Sequence, residues 1–472
     1  MTALPAIRVI RPVTWALLTT ALLPCVATAQ FVPIEPLGCA PPPYRFLRDS
    51  EDWQSLRDPA CRSDLWDEWK FIALGEGPRL TLGGDARLVL INARYLSFGN
   101  EGGDNNNVFL QRYHVHANMR VSSDLRVFAE LKSNHEHGRE PGPLVTDVDR
   151  LDVHQAFVDV GAESSVLRVG RQELVYGSGR RIFPRNGPNV RGNFDAVRYS
   201  ARPGDWRADA FAFRPVAIDP GTFDDNTVRD ATFWGVYATG PQPWLAPALI
   251  DLYYIGTSRN AVRFQQGVAS EQRQTVGARL SGRVDAWDHD HEVTLQWGRF
   301  GAASIQAWAI ASETGYTWPD VKRRPRASLR VSVASGDRDP ADPRMQTFHS
   351  LLPRGGAVDE GFNVSAANIS HLRAALTADL APATLATIAA NTTWRTSRAD
   401  GVYSPGGGLI RNGTGSAARH VGDSINLYVV WVIDRHATLD LGVGYFWSGR
   451  FVAETGPNRN MSYFTPTFYY RF

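Results

Sequence analysis

From Leu80 to Phe472, apolar and polar residues alternate one for one in segments of about ten, and no stretch there approaches the roughly 20 apolar residues that a membrane-spanning helix needs. Period two belongs to strands, because successive side chains leave a strand on opposite faces. In 108–121, Val115, Ala117, Met119 and Val121 share one parity, while Arg112, His114, His116, Asn118 and Arg120 share the other. In 273–283, Arg273, Thr275, Arg279, Ser281 and Arg283 oppose Val276, Ala278 and Leu280. In 328–333, Ser328, Arg330 and Ser332 oppose Leu329, Val331 and Val333. A helix would repeat at 3.6, and these segments do not.

Eighteen such segments fall near 80–96, 107–122, 125–136, 149–161, 164–175, 194–200, 206–216, 230–240, 247–258, 272–284, 291–300, 304–317, 326–336, 368–380, 383–396, 419–433, 437–451 and 460–472. The segment 304–317 is Ala-rich and also compatible with a helix. Short connections such as Ser122 to Asp124, Ala381-Pro382 and Asp434 to His436 alternate with long Gly/Asp/Asn/Pro-rich ones, including 337–367 and 397–418. An even strand count with alternating turn lengths leads to an all-β fold: a transmembrane antiparallel up-and-down β-barrel of about 18 strands, both termini periplasmic, in the bacterial outer membrane. The charged fraction of 21% and mean hydropathy of −0.26 agree, since strands with one polar face average to a hydrophilic chain.

The final run SYFTPTFYYRF places Phe464, Phe468, Tyr470 and Phe472 on one parity. It reads as a closing strand whose aromatic face meets outer-membrane lipid and whose end engages the barrel assembly machinery. Trp and Tyr near segment ends, among them Trp234, Trp431 and Trp447, suit interfacial girdles.

At the other end, Arg8 and Arg11, the run WALLTTALLPCVATA and Ala27-Thr28-Ala29 form a secretory signal over residues 1–29. Residues 30–79 are a Pro-rich, charged periplasmic lead-in with a helical turn expected around Asp52 to Leu56, and the barrel occupies 80–472. About 50 residues are too few for a domain that fills a wide barrel, which excludes a plug-domain transporter. The lead-in carries Cys39 and Cys61, and an oxidising compartment leaves both a bridge and two free thiols open.

If the apolar parity faces lipid, the other lines a lumen. The basic lumen set is Arg87, Arg112, Arg120, Arg126, Lys132, Arg273, Arg279, Arg283, Arg330, Arg373 and Arg395, against Asp85, Glu130, Glu292 and Asp440. Such an excess in a low-dielectric pore attracts anions. Only Lys70, Lys132 and Lys322 are lysines among 50 basic residues, and arginine is the better bidentate partner of carboxylates. The stretch Gly170 to Tyr199 packs Arg171, Arg180, Arg181, Arg185, Arg191 and Arg198 among glycines and prolines. It suits either a loop folded into the pore or an outer loop bound to lipid phosphates. Arg171 shares parity with Leu167 and Val169, so a bulge at Gly170 would be needed to turn it inward.

The sequence resembles the alginate-export family of outer-membrane barrels. The resemblance rests on RFLRDSEDWQSLRDP (45–59), DLWDEWKFIALG (64–75), the GRQEL, GSGRR and NGPNVR motifs between 170 and 192 with Phe194-Asp195 after them, SGDRDPADPRMQTFHSLLPRG (335–355) and the aromatic end. It implies an 18-stranded barrel with an arginine-rich lumen that exports an anionic polysaccharide such as alginate, working with periplasmic secretion partners. Matched by motif, Arg171, Arg180, Arg181, Arg185, Arg191, Asp195, Asp337 and Asp339 become conduit or loop residues. The alternative is an uptake porin for small organic anions or oligosaccharides.

No enzyme is expected: Ser178 lacks the strand–turn–helix setting of a nucleophilic serine. His114, His116, His135, His137 and His154 read as polar wall or rim residues, and HDHE (289–292) places its first three residues at a turn. No metal and no cofactor are expected, although the acidic loops 224–230 and 335–342 are conceivable Ca²⁺ ligands. Nucleic acid is excluded as a partner by the near-neutral charge of +2 and by arginines that alternate along strands instead of lining a helix.

Overall fold

The structure, a computed structural model, describes residues 42–96, 98–99, 106–140, 142–242, 247–355 and 364–472. Eighteen antiparallel strands form one closed sheet: β1 Arg79–Arg94, β2 Asn106–Arg120, β3 Leu125–His137, β4 Asp149–Val160, β5 Ser165–Gln172, β6 Phe194–Ala201, β7 Arg207–Pro215, β8 Ala231–Gln242, β9 Ala248–Phe264, β10 Gly267–Val284, β11 Trp287–Phe300, β12 Ala303–Thr317, β13 Arg326–Ala334, β14 Ile369–Ala381, β15 Thr384–Arg395, β16 His420–Val432, β17 Ala437–Ser448 and β18 Met461–Arg471. Each pairs with its neighbours in sequence, and β18 returns to β1 in a register running from Asp85↔Arg471 to Arg94↔Ser462. Closure removes every sheet edge, which hydrocarbon would leave unsatisfied.

The period-two pattern decides which face is which. Val293, Leu295 and Trp297 on β11, Leu329 and Val331 on β13, and Val443, Tyr445 and Trp447 on β17 are exposed on the outer wall. Their alternates, such as Glu292, Thr294, Gln296, Arg330 and Ser332, are buried inside. Exposed Trp297 and Trp447 sit toward one rim, and Trp287, Trp318 and Trp431 toward the other, as two girdles require. The Ala-rich segment is strand β12, paired with β11 along its whole length. Residues 289–292 also lie within a strand, β11, and not at a turn. There, His289 and His291 share the outward parity with Val293, while Asp288, Asp290 and Glu292 point inward.

Arg79 and Arg471 lie on the rim of the short turns. The opposite rim carries the long connections, but also two tight hairpins, Gln265-Gln266 and Gly301-Ala302. At the end of β18, Phe464 faces outward and is 46% exposed. Tyr470 and Phe472, expected in lipid, are instead covered at the rim. Trp66 donates to the Tyr470 hydroxyl (2.9 Å) and packs on Phe472, with ring centroids 4.5 Å apart.

The expected signal and Cys39 lie outside the described residues. Cys61 is disulfide-bonded. The lead-in from residue 42 is ordered by short turns, one of them a 3-10 turn at Gln54–Arg57, and by a small core of Trp53, Leu56 and Cys61.

Candidate functional site

The lumen is occupied by the protein's own chain from both ends. At the short-turn mouth, the lead-in enters with Arg48, Asp49 and Lys70 buried. Arg48 binds Glu51 (2.7 Å) and donates to the carbonyls of Gly84 (2.8 Å) and Phe472 (3.0 Å). Asp49 receives Arg168 of β5 at 2.6 Å, and its backbone carbonyl accepts from Arg126. Burial alone would raise the Asp49 carboxyl, but the Arg168 and Arg126 charges outweigh it and hold the group at about 2. Lys70 has no such rescue: burial, then the Arg48 charge, brings its ammonium down to about 7. The lead-in thus fills part of this mouth.

From the other rim, the connection 173–193 between β5 and β6 folds inward. Its aim follows from what the wall offers. The inward residues of β7 to β9, Phe211, Phe213, Phe233, Tyr237, Tyr253 and Ile255, are apolar, and Leu174, Tyr176 and Ile182 of the connection pack on them. Across the lumen, Arg112 donates to the carbonyls of Asn189 and Pro188, both at 2.6 Å. The fully buried Asn189 amide donates to the carbonyls of Gln111, His135 and Asp147. Arg180 binds Asp290 (2.8 Å) and Glu292 (3.0 Å), and Arg181 binds Glu292 at 3.3 Å. Arg191 binds Glu173 at 2.6 Å, and Arg185 is half-buried in the same loop. Of the two settings open for this segment, the structure has the inward one.

The connection between β13 and β14 joins it. Phe183 N donates to Leu352 O and Leu352 N to Arg181 O, both at 2.9 Å, in a parallel bridge between the two loops. Asp337 accepts from Gln266 and, through its amide, donates to Asp400 (2.9 Å), while exposed Asp339 caps the backbone of Ala341. Both are loop-ordering residues. The lead-in and the β5–β6 loop then meet: Phe46 stacks on Phe183, and the Arg191 guanidinium lies 4.3 Å over the Phe46 ring.

All eleven cations of the basic set lie on the inward parity, and nine are buried; Arg120 is half-buried and Arg283 exposed, both toward the short-turn rim. The acids opposing them are more numerous than the sequence reading allowed. Arg126 binds Asp159 (3.3 Å), Lys132 binds Asp149 (2.7 Å) and Asp225 (2.5 Å), Arg273 binds Glu271 (2.7 Å) and Arg279 binds Asp251 and Asp290 (both 2.9 Å). Arg87 and Arg395 spend their donors on loop carbonyls. Asp288, Asp290 and Glu271 lie outside the segments expected at 272–284 and 291–300, because β10 begins at Gly267 and β11 at Trp287. Asp225 of the 224–230 loop, one of the conceivable Ca²⁺ ligands, is bound by Lys132 and lies within 4.8 Å of Asp152 and Asp224 ligand atoms.

One stretch keeps its cations adjacent. Arg330 of β13 and Arg373 of β14 are directly opposite in the ladder, and Arg326 lies on the same inward face. Glu313 binds Arg330 at 2.8 Å and Arg326 at 3.3 Å, and Asp288 holds Arg326 more closely, at 2.5 Å.

Arg171 and Asp195 stay outward. No register shift occurs at Gly170 in either ladder, so the expected bulge is absent. The two residues are opposite each other on β5 and β6 and form an ion pair of 2.9 Å, to which Thr227 of the β7–β8 loop is hydrogen-bonded. The pair sits on the outward parity near the rim, with Asp152 also 3.7 Å from Arg171.

The sequence model of the family described as alginate export matches residues 79–465. No curated protein matches the sequence. Among solved structures, the chain is similar to Pseudomonas aeruginosa OccK2 (OpdF) in complex with glucuronate, with TM-score 0.56 and 12% identity over 83% of this chain and 98% of that one. It is also similar to a BenF-like porin from Pseudomonas fluorescens Pf-5 (TM-score 0.58, 9% identity, 83% and 98% covered) and to P. aeruginosa OpdK with vanillate (TM-score 0.57, 10% identity, 83% and 98% covered). At such identities the likeness is one of fold.

Proposed function

The chain belongs to the alginate-export family, and on that premise we propose that this outer-membrane channel passes an anionic polysaccharide such as alginate from the periplasm outward. The observation that carries the reading is the Arg326, Arg330 and Arg373 stretch on the inward wall of β13 and β14. Adjacent guanidiniums, set against the carboxylates of Glu313 and Asp288, offer a uronate chain successive bidentate partners, each exchangeable for the next. The short-turn rim, with both ends of the barrel, faces the periplasm, and a signal over 1–29 delivers the chain there. A periplasmic secretion partner would meet the lead-in at that rim.

A second reading has its own support. Chain entering from both mouths narrows the lumen at Phe46 and Phe183, which suits uptake of small organic anions or oligosaccharides. That OccK2 was solved with glucuronate, a monomeric uronate, is consistent with either cargo.

Planar-bilayer recording separates the two. Polyuronate chains that block single channels at concentrations where neutral glucan does not support the polysaccharide conduit. Saturation by monomeric uronate with no block by the polymer supports the small-anion porin. Equal permeability to small anions and cations would remove the arginine argument from both.

A further inference from the structure

Three histidines surround one carboxylate inside the wall of β2 to β4. Glu130 of β3 has its Oε1 3.6 Å from His114 Nδ1 and 3.8 Å from His154 Nε2, and its Oε2 3.6 Å from His116 Nδ1. His114, Glu130 and His154 are 1%, 2% and 0% exposed, and one ligand atom from each lies within 4.8 Å of the others. Among the described residues, both ring nitrogens of His114, Nδ1 of His116 and Oε2 of Glu130 have no hydrogen-bond partner.

The nearby cations are committed elsewhere. Arg191 is on Glu173, Lys132 on Asp149 and Asp225, and Arg112 on the carbonyls of the infolded loop. Among the described residues, Glu130 has only the Gln155 amide within hydrogen-bond range, at 3.4 Å. A buried carboxylate with no cation, ringed by imidazole lone pairs, is costly as it stands. Two imidazoles and a carboxylate converging on one point are a donor set that Zn²⁺-class dications take. Glu173 Oε1 lies 2.9 Å from the same His154 Nε2 and brings a second carboxylate to the cluster.

We infer that His114, Glu130 and His154 form a binding site for one borderline divalent cation of the Zn²⁺ class. The ligands come from three successive strands, next to Asp85, which lies 3.8 Å from both His114 and Arg48 of the lead-in. The bound ion would staple the wall beside the segment that fills part of the mouth. The site is independent of what the channel carries.

The test uses the full mature chain, chelator-stripped and folded in detergent, with Co²⁺ as an optical probe and Zn²⁺ as competitor. One equivalent of Co²⁺ should bind, with d–d absorption in the visible that one equivalent of Zn²⁺ abolishes. His114→Ala, His154→Ala and Glu130→Gln should each weaken binding at least tenfold, with folding checked by heat-modifiable migration. His137→Ala and His420→Ala, at residues outside the cluster, should bind as the unsubstituted protein does. If one cluster variant does not fold, the other two carry the same reading. Absence of stoichiometric binding to the unsubstituted protein, or binding that the folded cluster variants retain, overturns the site.

Discussion

Phe46, which enters with the lead-in, stacks on Phe183, which enters with the β5–β6 loop, at a ring-centroid distance of 5.1 Å. Chain from one mouth therefore touches chain from the other inside an 18-stranded wall. Removing the contact should widen the path. Deletion of residues 42–71, or Phe46→Ala combined with Phe183→Ala, is expected to raise single-channel conductance at least twofold. Unchanged conductance in the deletion would place the permeation path away from the contact.

Selectivity should reside on the wall of β13 and β14. Arg330→Glu with Arg373→Glu reverses two inward charges on adjacent strands. Reversal potentials in a salt gradient should move the anion-to-cation permeability ratio severalfold downward. A ratio that stays put would show that these side chains are off the path.

Docking of the lead-in should depend on pH in two windows. Asp49, held at about 2 against its ordinary 3.8, contributes stability that is present above 3.8 and lost as pH falls toward 2. Lys70, brought from 10.5 to about 7, acts in the other sense. The free segment keeps its proton up to 10.5 while the docked one has shed it, so docking tightens as pH rises from about 7 to 10.5. A spin label at exposed Gln54 reports both, with mobility rising below pH 4 and falling above pH 7. Lys70→Met should flatten the upper window and leave the lower one.

The infolded loop hangs on Arg112, buried and committed to the carbonyls of Pro188 and Asn189. Arg112→Ala leaves those acceptors unmatched, at a cost of roughly 2–4 kcal/mol. Limited proteolysis within 173–193 should become faster while the barrel keeps its heat-modifiable migration. Equal protection would shift the anchoring to Asn189.

The outer wall is tested at Val293, midway along β11 and 49% exposed. Val293→Arg should destabilise the protein in vesicles by about 2–4 kcal/mol, the cost of arginine near the bilayer midplane. Urea unfolding measures it, and a loss below about 1 kcal/mol would mean that this face does not meet lipid.

The wall was legible because its code is local. Each of the eighteen expected segments corresponds to a strand, since period two survives whatever the lumen contains. The contents of the lumen were less legible, because they depend on residues far apart in sequence. Phe211, Phe213 and Phe233 break the apolar-out rule, and that break was the available sign that something apolar packs inside. Asn189 offered only its place in the NGPNVR motif. The cluster of His114, His116 and His154 looked scattered because its members sit on different strands, and only the registers His116↔Glu130 and Glu130↔Gln155 draw them around one carboxylate. Arg171 was legible as outward-facing, and the bulge considered for it is absent because Asp195 already answers its charge.

Arg48 precedes β1, yet it donates to the carbonyl of Phe472, whose amide and carbonyl are also bonded to Gly84. The cylinder's seam is thus latched by the same residue that seats the stopper. Seating the lead-in and pairing the last strand with the first therefore stabilise each other. A barrel whose lead-in stayed outside would lack that clasp across its own seam.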